Sequence, residues 1–263
     1  MKGTVIFISL FVVVACCSCK KVIHVDLNDA APQIVIQGEV TDMPGPYKVT
    51  ITKTVNFSAT NNFPTVSGAV VTITDNNAVN DILAETAPGE YLTHATWQGV
   101  PGNGYTINVT SAGNTYTATC VMPQPVPLDS ITFQQNGRFS GSTTISVVPN
   151  FQDPPGIANY YQFAETINDT PLHKIYLMND RLSNGKYIHQ DLFDDSVHIK
   201  TGDVVVLDMY SIDTNVYHYL DEMRQVSNDA GSVTPANPTS NFSNGALGFF
   251  SAHTVASKSA VAK

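Results

Sequence analysis

From Gln33 to Met122 apolar and polar positions alternate in short runs. Tyr47, Val49 and Ile51 alternate with Lys48, Thr50 and Thr52, and Ala69, Val71 and Ile73 with Val70, Thr72 and Thr74. Tyr105, Ile107 and Val109 alternate with Thr106, Asn108 and Thr110 in the same way. A period of two with β-branched partners is the signature of strands buried on one face. The runs are broken by Pro44-Gly45-Pro46, Asp75-Asn76-Asn77, Pro88-Gly89, residues 101–104 and Gly113-Asn114, all turn-forming chemistry. About seven strands at this spacing predict a β-sandwich of the immunoglobulin or transthyretin type over residues 33–122. The Gly113-Asn114 step predicts a tight hairpin.

Residues 123–127 (PQPVP) form a stiff extended connector, because each proline fixes φ and biases its predecessor away from helix. The domain boundary is placed there; the alternative is a loop within one larger domain. Residues 128–263 predict a second β-rich domain. Its strands are expected at Ser130–Gln134, Thr143–Asn150, Tyr160–Thr166, His173–Met178 and Asp203–Ile212. Val204 to Met209 is apolar on both faces apart from Asp208, as in a central or helix-covered strand. Asp213 or Thr214 caps one convincing helix over 214–228, with Val216, Tyr219, Leu220 and Met223 as its buried stripe. Residues 231–245 read as a long Pro/Ser/Thr/Asn loop, of the kind that is usually functional or mobile. The expected fold is therefore mainly β, a sandwich followed by a second β-rich domain with one helix.

The amino end follows a different pattern. Lys2 is followed by the apolar run Val5 to Ala15, then by Cys16, Cys17 and Cys19. A short apolar region ending in small residues and a cysteine predicts a bacterial lipoprotein signal over residues 1–18. In such a signal the thiol takes a diacylglycerol and the peptidase cuts just before it. Cys16 and Cys19 compete as the lipidated residue; residues 19–32 form a tether. Acyl chains contribute ~0.8 kcal/mol per buried CH₂, so two or three make a lasting anchor.

Composition narrows the picture. The chain has 263 residues, 13% of them charged, a formal charge of −9 and a pI near 5.0. That acidity argues against nucleic acid and against electrostatic docking on anionic lipid. No apolar run reaches the roughly 18 residues of a spanning helix. Cys120 falls on the apolar side of the pattern Tyr116, Ala118, Cys120, Met122, which marks a buried structural thiol.

Signals of catalysis are sparse. There is no G-x-S-x-G, no H-E-x-x-H and no phosphate-binding G-x-x-x-x-G-K-[ST], and no cofactor is implied. The densest polar set is His189, Asp191, Asp194, Asp195 and His198. Imidazole and carboxylate would suit a divalent ion if a hairpin gathered them, although their spacing fits no recognised metal loop and acidic hairpins are commonly just solvated. Asp221 and Glu222 are neighbours on the helix and read as surface charges. Trp97, the single tryptophan, reads as half-buried packing ahead of a glycan platform. Asp129-Ser130-Ile131 and Asp195-Ser196-Val197 resemble a bacterial O-glycosylation acceptor motif.

Several short motifs occur together in order. Ser18-Cys19-Lys20-Lys21-Val22-Ile23 precedes Asp26-Leu27, and Pro44-Gly45-Pro46-Tyr47, Val66-Ser67-Gly68-Ala69 and Pro88-Gly89-Glu90-Tyr91 follow. Later come Asn179-Asp180-Arg181-Leu182, Ser211-Ile212-Asp213, Asn237-Pro238 and Ser243-Asn244-Gly245-Ala246-Leu247-Gly248-Phe249-Phe250. Taken together the chain resembles a Bacteroidota lipoprotein family known as domain of unknown function 4249. The resemblance places the lipid on Cys19 and implies an outer-membrane lipoprotein of the kind encoded near TonB-dependent receptors. It supplies no catalytic residues. Lys20 and Lys21 depart from the acidic residues that follow the lipidated cysteine of surface-exported lipoproteins in that phylum, so the surface and periplasmic faces both stay open. The expected function is a non-enzymatic, lipid-anchored accessory or ligand-binding partner of a TonB-dependent receptor. The alternatives are an envelope hydrolase acting on glycan or peptide, with acids from 189–198, and a structural or adhesive envelope lipoprotein.

Overall fold

The computed structural model describes residues 31–56, 62–137, 143–227 and 237–263. The signal, Cys16, Cys17, Cys19 and most of the tether lie outside them, as do the end of the expected helix and the first part of the 231–245 loop. In the first half, the alternating runs become β1 (Ile34–Thr41), β2 (Lys48–Lys53), β3 (Val70–Asp75), β4 (Asn80–Ile82), β5 (Ala84–Ala87), β6 (Glu90–Leu92), β7 (Gly104–Ser111) and β8 (Asn114–Val121). The second half adds β9 (Ser130–Gly137), β10 (Thr143–Gln152), β11 (Tyr160–Ile167), β12 (Thr170–Pro171), β13 (Tyr176–Asn179), β14 (Tyr187–His189), β15 (Val204–Ile212) and β16 (Leu247–Val261). One helix, Thr214–Ser227, interrupts them. Among the described residues no helix is long and apolar enough to cross a membrane.

The strands form three sheets. A nine-stranded sheet runs β12-β11-β15-β16-β1-β2-β6-β5, with β13 also on β11; β4-β3-β7-β8 and β14-β10-β9 form the others. The protein is thus mainly β and built of stacked sheets, as the alternation predicts.

Two cores lie between them. In the first, Ile36, Val40, Val49, Ile51, Tyr91 and Phe250 of the large sheet pack with Val71, Ile73, Ile107, Val109 and Cys120 of the four-stranded sheet. In the second, Tyr161, Phe163, Val205 and Leu207 pack with Ile131, Val147, Phe151 and Ile188 of the three-stranded sheet. Each large apolar side chain removed from water contributes about 1.5–3 kcal/mol, so the inward positions of the period-two pattern carry the stability.

The last strand departs from the sequence reading. β16 pairs in parallel with β1 from Val35↔Leu247 to Thr41↔His253, then antiparallel with β15 from Ser211↔Thr254 to Val204↔Val261. The helix stripe Val216, Tyr219 and Leu220, together with Phe250 and Ala252 of β16, is buried in the first core. The helix and the start of β16, placed by the sequence in the second domain, therefore pack with the first. Gly248 allows the junction: at φ 94° a Cβ there would lie 2.0 Å from the Ile36 carbonyl oxygen.

Local boundaries shift as well. Ser111 pairs with Asn114, so the hairpin loop is Ala112-Gly113, with φ 49° and 81°, rather than Gly113-Asn114; both loop residues at positive φ is the type I′ geometry. The strand expected from His173 begins at Tyr176. β15 is a central strand between β11 and β16, yet Val204 is exposed at its end.

Candidate functional site

The polar set at 189–198 does not assemble. The exposed His189 faces Asn150 in the β10–β14 register, and its Nδ1 meets the Asn150 Oδ1. Asp191 accepts the Ser146 hydroxyl at 3.0 Å. Asp194 accepts the Ser196 amide at 2.8 Å and hydroxyl at 2.5 Å, and pairs with Lys174 Nζ at 3.0 Å. Burial works against the Asp194 carboxylate, but the Ser196 donors and the Lys174 ammonium outweigh it and hold its pKa below the ordinary range. His198 is exposed, and Asp195 is exposed and partnered. Among the described residues no group of three or more His, Cys, Asp or Glu is close enough to hold a metal ion. Asp194 is engaged by its own turn and by Lys174, while His189 and Asp191 face Asn150 and Ser146 of β10, so the five share no common centre.

A carboxyl that sequence reading passed over lies beneath them. Glu165 occupies an inward position of β11, in step with Tyr161 and Phe163, and is 2% exposed. Its carboxyl lies against the hydroxyl of Tyr176, close enough for that group to act on it but without a well-aligned hydrogen bond. Burial pushes the Glu165 pKa up to about 7; the Tyr176 hydroxyl works against the rise, and the Asp194 charge adds to it. The signal was present in the sequence as an acid at an inward position of an alternating strand. Its geometry is closed, so it serves the core rather than a ligand.

The open site lies against the first core. The outward face of the four-stranded sheet carries a row of hydroxyls, Thr74 opposing Thr106 and Thr106 opposing Thr119, beside the exposed apolar Val70, Ile82 and Val121. Beside this row Thr117 donates to Asn108 Oδ1 at 2.8 Å. Over the edge of β8 comes the start of the helix, where Asp213 Oδ1 accepts the Val216 amide at 3.0 Å and so acts as the cap. Together these walls enclose a hollow of about 570 Å³ lined by Thr74, Asp75, Thr106, Thr119, Asp213 and Asn215, among others.

A second hollow of about 380 Å³ shares Thr119 and Asn215 and continues along the helix past His218 and Glu222 to Thr239 and Asn241. Asn215, His218 and Glu222 share one face at helical spacing. Glu222 closes the far end by accepting the Thr239 amide at 2.6 Å and hydroxyl at 3.2 Å. Asp75 accepts the Asn77 and Val79 amides at 2.9 and 2.8 Å and Asn103 Nδ2 at 3.2 Å. Three carboxylates thus face the groove on neutral donors, and among the described residues neither hollow is lined by Lys or Arg.

Cys120 forms part of the floor. Burial, reinforced by the Asp213 charge, pushes its thiol far above the ordinary range. Its sulfur instead accepts the Ala252 amide at 3.1 Å and ties β8 to β16. Trp97 stands edge-on between Tyr47 and Tyr105, with ring centroids at 6.0 and 5.9 Å, so it packs the first core. The groove's residues come from β3, β7, β8, the helix and the 239–241 segment, which is why no single stretch of sequence announced it.

Comparison with curated proteins gives no match. Among solved structures the chain is similar to a two fibronectin type-III domain segment from chicken tenascin, at 10% identity and a TM-score of 0.22, over 69% of this chain and 91% of that one. A family model matches residues 20–259, as the ordered motifs predict, and the chain belongs to the family described as Domain of unknown function (DUF4249).

Proposed function

We propose that this protein is a non-enzymatic, lipid-anchored protein of the bacterial cell envelope. In this reading it is tethered to the outer membrane through acylated Cys19 and acts as an accessory or ligand-binding partner of a TonB-dependent receptor. The observation that carries the binding role is the open groove over β8, whose walls are hydroxyls, amides and three hydrogen-bonded carboxylates. Such groups recognise a partner by hydrogen bonding and charge. The thiol in the groove floor is held protonated and engaged by the Ala252 amide, a structural use of sulfur that suits binding better than nucleophilic attack. The anchor is supported by the apolar run ahead of Cys19 and by the order of motifs shared with the family.

The test uses the full chain in a Bacteroidota host fed an alkyne-tagged palmitate. Wild type and a Cys16→Ala variant are expected to carry the tag and sediment with outer membrane, while Cys19→Ala loses both. Affinity purification from detergent-solubilised membranes is expected to enrich a TonB-dependent receptor. Tag on no cysteine, or a purification with no receptor in it, overturns the proposal.

A further inference from the structure

The free edge of β8 has a definite polarity. In a two-residue hairpin the closing pair, here Ser111↔Asn114, exchanges hydrogen bonds, and such pairs alternate along the ladder. Tyr116, Ala118 and Cys120 therefore bond to β7, while Thr115, Thr117, Thr119 and Val121 point their N–H and C=O groups outward. The contacts agree with that phase. Asn244 Nδ2 donates to the Thr115 carbonyl at 2.6 Å, the Ser243 amide donates to the Thr117 carbonyl at 2.8 Å, and the Thr117 amide donates to Ser243 Oγ at 2.9 Å.

This clip stops at the Ala118↔Phe242 bridge. The preceding residues leave β8 for β16: Asn241 exchanges hydrogen bonds with the Phe250 backbone at 2.8 and 3.0 Å, and Ser240 Oγ donates to the Gly248 carbonyl at 2.7 Å. The Ala118↔Phe242 bridge takes the Thr119 N–H toward the Asn241 carbonyl; among the described residues the outward C=O of Thr119 and the N–H of Val121 beyond it have no hydrogen-bond partner. Thr119 is exposed and lies where the two hollows meet. An unpaired strand edge is a template for another strand. Here it lies in a trough whose walls carry Asp75, Asp213 and Glu222 and, among the described residues, no Lys or Arg.

We propose that an extended peptide segment of a protein partner, carrying Lys or Arg, adds to β8 at Thr119–Val121 in the course that residues 239–241 abandon. Main-chain bonds to Thr119 and Val121 hold the segment, and the acidic walls select its charge. The proposal deepens the binding reading of the groove and does not depend on the lipid anchor.

The test measures binding of the detergent-solubilised full chain to an alternating Thr/Lys octapeptide by fluorescence anisotropy. An alternating Thr/Glu octapeptide and a neutral oligosaccharide serve as the other probes, and hydrogen exchange is followed over residues 115–122. The basic peptide is expected to bind most tightly and to slow exchange there. Val121→Pro deletes an outward N–H that has no partner among the described residues and is tolerated on a free edge. It is expected to weaken the basic peptide at least about tenfold with an unchanged thermal midpoint. Should that variant misfold, Asn215→Lys, at an exposed position, is expected to weaken the basic peptide several-fold and favour the acidic one.

Any of four results overturns the proposal: equal affinity for both peptides, protection elsewhere in the chain, preference for the oligosaccharide, or occupation of the edge by a second copy of this chain, seen as a doubled mass that Val121→Pro abolishes. An untagged Cys19 would fail the anchor and leave these readings unchanged, so the two failures are distinguishable.

Discussion

Two buried titratable groups, Glu165 and His253, contribute to the pH response of the fold in opposite directions. Glu165 has its pKa raised from 4.5 to about 7, first by burial. The native state therefore holds a proton that the unfolded chain releases, and the stability it lends is complete below about pH 4.5 and lost as pH rises through 7. The shift corresponds to about 3 kcal/mol. His253, 6% exposed and against the Tyr210 ring, has its pKa lowered from 6.5 to about 4 by burial. Its contribution is present above about pH 6.5 and is lost as pH falls through 4. Glu165→Gln keeps the shape and removes the charge. Urea unfolding is expected to show the wild type losing about 3 kcal/mol relative to Glu165→Gln between about pH 4.5 and 7, with the two running parallel above pH 7; parallel curves from pH 4.5 to 7 would refute the assignment to Glu165.

At the level of elements, the helix was legible because its signals are local. Val216, Tyr219 and Leu220 are buried, and Asp213 supplies the cap to Val216 at 3.0 Å. Asp213→Ala is expected to cost about 1 kcal/mol in thermal or urea melts, with Asp213→Asn recovering most of it; an unchanged midpoint would show that the cap is redundant. The β7–β8 hairpin was legible in existence but not in phase. Gly113 fits a tight turn on either side, and the ladder of side chains, not the turn residues alone, selects Ala112-Gly113. The edge of β8 was illegible, because a free edge is defined by the strand that fails to cover it, and the segment responsible turns away at Asn241.

In the whole molecule, β16 joins both cores along its 15 residues. Its first half completes the sandwich with β1 and its second half completes the sheet with β15. Neither core can lose that strand without exposing the other's edge. Differential scanning calorimetry is expected to give a single transition with equal calorimetric and van't Hoff enthalpies. Two resolved transitions, one for each core, would show that the shared strand does not couple them.

The alternation of apolar and threonine-rich positions by itself determined the β class, most of the strands and the inward residues, because side-chain direction in a strand depends only on parity along the chain. Capping chemistry and a 3.6-residue stripe likewise placed the helix. Which core the helix and β16 would join was decided only in the tertiary structure, since a parallel pairing between residues 35–41 and 247–253 is made by contacts far apart in the chain. The separation of the 189–198 acids and the groove over β8 were decided there too. Each depends on which strand lies beside which, and pairing at long range leaves no period in the sequence.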